Sequence, residues 1–333
     1  MPSFAPALPR PRGPVSYAVI TALSEREPHA GQFTLPTPLR ADPLGADAQL
    51  ALCVCYELHY AGFTGVDDGW EWDPELLELR HELEERFLST LHEQTSGAND
   101  ANASLDQLLV EPMDGAGLSD YLADRGTWVH MREFFAHRSL YHLKEADPHA
   151  WVIPRLTGAA KAALVAVEFD EYGGGRADRM HSTLFADLLR AARMSSRYLA
   201  YVDCVPPESL ATVNFMSLCG LRRQLRAALV GLLAAAEITT APSARKILAG
   251  LERLEAPHEC RHFFAEHIEA DAVHEQVLRH DVVAELLRED PKCEADIVFG
   301  IEASELLEQR LAHFILDKWG RERSSLSPIP LSD

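Results

Sequence analysis

The stretch AEHIEADAVHEQVL, residues 265–278, places two imidazoles and a carboxylate on one stripe of a predicted helix. His267, Asp271 and His274 follow one another at spacings of four and three residues, and at about 100° per residue they fall within a sector of about 60°. The helix also carries apolar residues on or near this stripe: Phe264, Ile268, Ala270 and Leu278. The stripe is therefore either a solvated charged face or an inward-facing set of ligands.

The segments around this stretch also have helical periodicity. Alternation of polar with β-branched residues is scarce, so a sheet is not expected and the sequence predicts an all-α bundle. Asp73 is expected to cap a helix that has Pro74 at its first position. The predicted helices cover 48–63, 73–94, a short segment after Gly117, 127–151, 157–172, 176–194, 210–240 with a bend at Gly220, 243–254, 258–286 and 294–319.

Composition divides the chain into four predicted regions. Residues 1–45 are rich in proline and polar residues and are expected to form a loosely ordered arm. Residues 46–125 form an N-terminal helical region, which contains a predicted break at 96–104. Residues 126–320 form the main helical domain, and residues 321–333 form a frayed tail.

Charge and hydropathy exclude several classes of protein. The formal net charge of -20 disfavours binding to nucleic acid, because phosphate backbones repel an acidic surface. The N-terminus lacks the features of a signal peptide, and the longest apolar run, 227–236, is too short to cross a bilayer. The six cysteines show no C-x-x-C pair and are expected to be reduced, buried thiols. We therefore expect a cytoplasmic protein without a membrane partner.

Other acidic and histidine residues in the main domain are candidate ligands. Glu237 follows a strongly apolar run, and a carboxylate buried there needs a compensating charge such as a metal cation, unless it reaches solvent at the helix end. Glu145, Glu171 and His181 are further candidates, and each by itself also fits a surface position. Helical bundles do hold dinuclear iron or manganese sites built from Glu and His on facing helices.

The arrangement of these candidates does not favour a ferritin-like site. That site uses a Glu-x-x-His pair on each of two core helices. Here the spacing occurs at Glu78/His81, in the N-terminal region, and at Glu259/His262, near a helix start, so the two pairs are poorly placed to face each other.

The order and spacing of the candidates resemble those of the heme-oxygenase-like diiron oxidases and oxygenases. The segments KEADPHAWVIPRL, DEYGGGRADRMH and AEHIEADAVHE are similar to the bacterial group described as iron-containing redox enzymes, and the resemblance spans roughly residues 125–320. It implies a heme-oxygenase-like helical bundle, with an extra, mostly helical N-terminal region. It also implies that two irons are surrounded by Glu145, Glu171, His181, Glu237, His267, Asp271 and His274.

The resemblance also implies a reaction. Two Fe ions (Fe2+/Fe3+), or Mn as an alternative, would use O2 as co-substrate to oxidise a small amine, amino acid or aliphatic acid, by N-oxygenation or by C–H or C–C oxidation. Oxygen donors and imidazoles suit these metals. In such proteins one core helix can be partly unwound without metal, and the glycines at 173–175 suit such mobility. An external electron donor and a homodimer remain open.

Substrate-binding residues and two alternative functions follow from the same sequence. Arg176 and Arg179 are either surface charges or contacts for a substrate carboxylate. A metal-free heme-oxygenase-like protein, such as a cofactorless oxidase or a thiaminase-like hydrolase, would need either a substrate-lined pocket or a cysteine nucleophile, for which Cys204 and Cys219 are the candidates. A non-catalytic interaction protein would bind a partner through its first 120 or so residues.

Six apolar residues are candidates for the walls of a substrate pocket, and packing in the core is the competing interpretation for them. These residues are Phe134, Phe135, Leu184, Phe185, Phe215 and Met216.

Overall fold

The computed structural model describes residues 5–25, 27–28, 40–110 and 115–328. These residues form helices and turns and no strand, which confirms the predicted all-α class. Parts of the predicted arm and tail, residues 1–4, 26, 29–39 and 329–333, lie outside the described residues. The helices are α1 (Pro14–Glu25), α2 (Ala46–Glu57), α3 (Pro74–Gln94), α4 (Ala101–Leu108), α5 (Leu118–Asp124), α6 (Trp128–His142), α7 (Asp147–Ala150), α8 (Gly158–Glu171), α9 (His181–Ala191), α10 (Pro207–Leu221), α11 (Arg226–Arg253), α12 (His258–Val277), α13 (Ala284–Glu289) and α14 (Glu294–Gly320).

The long helix α11 lies at the centre of the bundle and packs against α5, α12 and α14. Its first turns are buried on every side, as expected of a helix that is apolar all round. Among the described helices, Arg223–Arg253 is the one long and apolar enough to cross a membrane, but 72% of its apolar window is buried inside the protein. Such burial is typical of a core helix.

Two glycines allow α11 and α14 to pack closely. A Cβ atom on Gly231 would lie 2.1 Å from the carbonyl oxygen of Ile297, and one on Gly300 would lie 2.0 Å from that of Ala228. No side chain fits at these distances, so the two backbones are in direct contact at the crossing.

We expect Gly231→Ala to destabilise the protein by about 1–3 kcal/mol, the usual cost of overpacking a core. In a helix without this contact, alanine would instead stabilise by up to about 1 kcal/mol. Urea unfolding of both proteins measures the difference. Gly320→Ala is the matched control, because an added Cβ there meets nothing within 4 Å. Equal or greater stability of Gly231→Ala would contradict the proposed close crossing.

Several predicted helix boundaries were wrong. The predicted helix 210–240 is divided between α10 and α11. In addition, α11 continues through Pro242 and includes most of residues 243–254, which were predicted to form a separate helix. Proline removes one backbone hydrogen bond, and the packing of α11 against α5, α12 and α14 compensates for this loss. The predicted helix 127–151 is interrupted after His142, and α4 begins inside the predicted break at 96–104.

The described part of the N-terminal region shares a core with the main domain. α1 lies within the predicted arm, and α2 packs against both α1 and α10. The buried Asn214 on α10 donates 2.8 Å hydrogen bonds to the backbone oxygen and to Oε1 of Gln49 on α2. Asp73 accepts a hydrogen bond from the backbone N–H of Leu76, as its predicted capping role requires. In the predicted tail, Ser325 is buried and donates to Glu133.

A buried ion pair connects this region to the turn after α6. The ammonium group of Lys144 donates to Glu57, and both side chains are almost fully buried. The Tyr198 hydroxyl donates to the other oxygen of Glu57 at 2.6 Å. The residue after Lys144 is Glu145, one of the predicted ligands.

Candidate metal centre

The structure brings all of the predicted ligands together inside the bundle. Six of them are buried, and the side chain of Glu237 is 11% exposed. The stripe on α12 therefore faces inward. By segment, the residues are Glu145 in the turn after α6, Glu171 at the end of α8, His181 at the start of α9, Glu237 on α11, and His267, Asp271 and His274 on α12.

A tight turn places Glu171 opposite His181. Gly173 has a φ of 72°, and a Cβ atom there would lie 2.6 Å from the carbonyl carbon of Arg179. Glycine is therefore required for the chain to return from α8 to α9 at this point. As a result, Nδ1 of His181 lies 2.7 Å from Oε2 of Glu171.

One group of ligand atoms surrounds His274. Its Nδ1 lies 3.3 Å from Oε1 of Glu171, 3.2 Å from Oε2 of Glu237 and 3.9 Å from Oδ1 of Asp271. One atom from each of the four residues lies within 4.8 Å of the others, close enough to hold one metal ion.

Two further groups lie beside the first; one shares Glu171 with it, and the other shares Glu145 with that second group. One contains Glu145, Glu171 and His181, and the other contains His142, Glu145 and His267. Nε2 of His267 lies 3.8 Å from Oε1 of Glu145, and Nδ1 of His142 lies 2.9 Å from Oε2 of the same carboxylate. Glu145 and Glu171 each belong to two groups, which is the position of carboxylates that bridge two cations.

Two histidines on α12 have their ring orientation fixed by hydrogen bonds outside the cluster. His267 donates from Nδ1 to the carbonyl oxygen of Phe263 at 2.8 Å. His274 donates from Nε2 to Oδ2 of Asp170 at 3.1 Å. Each bond directs the other ring nitrogen towards the carboxylates, the usual arrangement for metal-binding histidines.

Unpaired polar atoms show that these residues fit a metal ion. Nε2 of His267 and Oδ2 of Asp271 are buried and have no hydrogen-bond partner among the described residues, and Nδ1 of His181 approaches Oε2 of Glu171 at 2.7 Å without the geometry of a hydrogen bond. Buried polar groups are nearly always hydrogen-bonded, so these atoms require another partner. A cation bound by nitrogen and oxygen donors would provide it.

The electrostatics of the cluster also favour a cation. Burial, followed by the charges of Glu237 and Glu171, raises the pKa of Asp271 to about 10. Burial lowers the pKa of His274, but hydrogen bonds and charge from Glu171 and Glu237 outweigh it and raise the pKa to about 11. Protons therefore balance the clustered carboxylates at neutral pH. A metal ion would replace these protons, so its binding would release them.

Sequence reasoning missed three residues that lie at or beside the cluster. His142 belongs to one of the ligand groups, and Asp170 orients His274. Glu168 is buried and neither of its oxygens has a hydrogen-bond partner among the described residues. Burial and then the charge of Glu171 raise the pKa of Glu168 to about 9, so it is neutral at pH 7. His142 and Glu168 could have been found from the sequence. Each lies three residues before a predicted ligand, Glu145 and Glu171 respectively, and this spacing places both members of a pair on one helix face.

A cavity of about 360 Å³ reaches His142 and His267. Of the predicted wall residues, Phe134, Phe185 and Met216 line it. Phe135, Leu184 and Phe215 are buried in the core instead. Arg176 and Arg179 do not line the cavity; they are exposed and lie close to Asp178 and Glu266 at 3.0 and 3.8 Å.

All six cysteines are free and buried, as predicted. Burial raises the pKa of the Cys204 and Cys219 thiols, which makes them poor nucleophiles at neutral pH. A metal-free enzyme that uses Cys204 or Cys219 as its nucleophile is therefore disfavoured.

Comparison with known proteins agrees with this geometry. A family model described as iron-containing redox enzyme matches residues 132–309, more than half of the chain. A search of curated proteins finds no match. The matched segment carries every predicted ligand, and the all-α architecture is that of the heme-oxygenase-like fold. The chain therefore belongs to the iron-containing redox enzyme family of the heme-oxygenase-like superfamily.

Proposed function

We propose that this protein is a non-heme diiron oxidase or oxygenase, with Mn as an alternative metal. Its substrate would be a small amine, amino acid or aliphatic acid, oxidised by N-oxygenation or by C–H or C–C oxidation. Two ferrous ions would supply electrons to O2, and an external donor would restore them. The observation that supports this proposal best is the overlap of the buried ligand groups at Glu145 and Glu171.

The residues divide into two adjacent binding positions. The first would use Glu237, Asp271 and His274, and the second would use His181 and His267. Glu145 and Glu171 would lie between the positions, because each contributes to two of the overlapping groups. The second position has fewer carboxylates of its own, so the two ions would differ in environment.

The cavity side of the cluster would exclude water and position the substrate. The rings of Phe185 and Phe263 pack at 4.9 and 5.1 Å from that of His142, between centroids, and form an apolar wall beside the ligands. Excluding water strengthens the electrostatic interactions within the site. His142 is held through Nδ1 by Glu145, so it lies between the proposed ligands and the cavity.

Iron loading followed by mixing with O2 tests this proposal. We expect about two irons per chain after anaerobic Fe(II) loading, as in other bundle-core dinuclear sites, and a transient visible absorption band after mixing with O2. His267→Ala should lose both signals, because it removes a buried ligand. His262→Ala is the matched control, since this residue lies on the same helix and is 40% exposed. No stoichiometric metal in the unmodified protein would overturn the proposal and favour a non-catalytic interaction protein.

A further inference from the structure

The cavity extends from the metal centre along several helices. On α6, Phe134, Arg138 and His142 recur every four residues, so they occupy one face and advance about 6 Å at each step. On α11, Thr240 and Ile247 also line the cavity. The cavity therefore has one end at the histidines of the centre and another end, lined by Phe134 and Ile247, that lies further from it.

The only guanidinium or ammonium group among the lining residues is already paired. Arg138 donates two hydrogen bonds, of 2.8 and 2.7 Å, to the two oxygens of Glu308. This bidentate geometry uses the donors that would otherwise bind a substrate carboxylate. The pair balances the charge of Arg138, and the exposed Arg176 and Arg179 lie outside the cavity lining.

One lining carboxylate has no cationic partner. Glu305 lies on α14, one turn before Glu308, and makes no ion pair with any described residue. Burial, together with the charge of Glu302, raises the pKa of Glu305, a shift in the direction expected for a carboxylate in this environment. Partial burial of an unpaired carboxylate is unfavourable. A cationic group bound in the cavity would offset this cost by pairing with the negative charge.

We infer that the cavity binds an amphipathic amine rather than a carboxylic acid. Its ammonium group pairs with Glu305, and its aliphatic chain lies against Phe134, Phe264 and Ile247. This assignment rests on the proposed function for its role as substrate, and it narrows the substrate class from amines and acids to amines.

Calorimetry under anaerobic conditions at pH 7 tests the inference with octylamine, octanoate and 1-octanol as probes. The full chain is used both without metal and after Fe(II) loading. We expect octylamine to bind at least about tenfold more tightly than octanoate in both forms, since a charge-assisted contact contributes that much or more. Glu305→Gln should weaken octylamine binding about tenfold and leave 1-octanol binding unchanged.

Two further variants control for non-specific effects. Glu78→Gln removes the same charge from an exposed position outside the cavity and should not change binding of octylamine. Ala244→Phe fills the cavity and should weaken octylamine and 1-octanol alike. Equal or tighter binding of octanoate, or unchanged octylamine binding in Glu305→Gln, would overturn the inference. Because this binding requires neither iron nor O2, failure of the proposed diiron function would be seen separately, in the metal content.

Discussion

Glu171→Ala is expected to abolish binding of both metal ions. Glu171 is the carboxylate that approaches histidines of both proposed positions, with one oxygen 2.7 Å from Nδ1 of His181 and the other 3.3 Å from Nδ1 of His274. Its loss would remove a ligand from each proposed position and the negative charge between the two proposed cations. We expect iron affinity to fall by more than about 100-fold. This exceeds the loss usually seen when the removed residue only hydrogen-bonds to a metal ligand. Competition with a chelator after anaerobic loading measures the change.

Two neighbouring carboxylates provide graded controls for this experiment. Asp170→Asn removes the charge of the side chain that orients His274, and we expect affinity to fall by about 10- to 100-fold. Glu168→Gln should have little effect on the charge of the site, because the raised pKa of Glu168 keeps it neutral at pH 7. If Glu171→Ala retained two irons with unchanged affinity, the bridging role of Glu171 would be wrong.

Lys144→Met is expected to destabilise the fold by about 3–5 kcal/mol, the usual cost of removing one member of a buried ion pair. The side chains of Lys144 and Glu57 are 4% and 2% exposed, so the remaining carboxylate would be left buried without its cationic partner. The hydroxyl of Tyr198 would remain as a hydrogen-bond partner of Glu57 but would not neutralise it. Urea unfolding of the metal-free protein measures this effect without a contribution from bound iron.

The double variant Glu57→Gln/Lys144→Met separates charge from packing. It removes both charges, while the amide oxygen at position 57 can still accept the hydrogen bond from Tyr198. We expect it to recover most of the lost stability, because replacing a whole buried pair is often nearly neutral. If the double variant were as unstable as Lys144→Met, lost packing of the lysine side chain would be the cause, and not an unpaired charge.

The sequence predicted the helical class, and its resemblance to the heme-oxygenase-like diiron proteins implied the set of residues that meet at the centre. Physical reasoning from the residues alone identified only part of that set. Buried carboxylates and histidines are costly without a partner, so Glu237 after an apolar run and the stripe on α12 stand out. Their roles as ligands remain a prediction. His142 and Asp170 could not be identified in this way, because a histidine or aspartate at a helix end is common at surfaces. The partner of Asp170 depends on how separate helices pack, whereas His142 could have been found only from its spacing of three residues to Glu145.

Helix boundaries were harder to predict because packing decides them. Pro242 has the local character of a helix end, yet contacts with α5 and α12 keep α11 continuous. For Arg176 and Arg179 the sequence left two interpretations open, a surface charge or a contact for a substrate carboxylate, and the structure agrees with the first. Arg176 and Arg179 are close to the ligands in sequence, but the turn at Gly173 places them in exposed positions.

The ion pair between Lys144 and Glu57 limits how the chain can be shortened. A truncated protein that began at residue 126 would keep the whole family-matched segment but lose Glu57 and Gln49. The ammonium group of Lys144 and the amide of Asn214 would both lose partners, next to a newly exposed apolar face of α10. The segment that defines the family is therefore smaller than the unit that folds, and the turn bearing Glu145 depends for its support on residues more than eighty positions earlier in the chain.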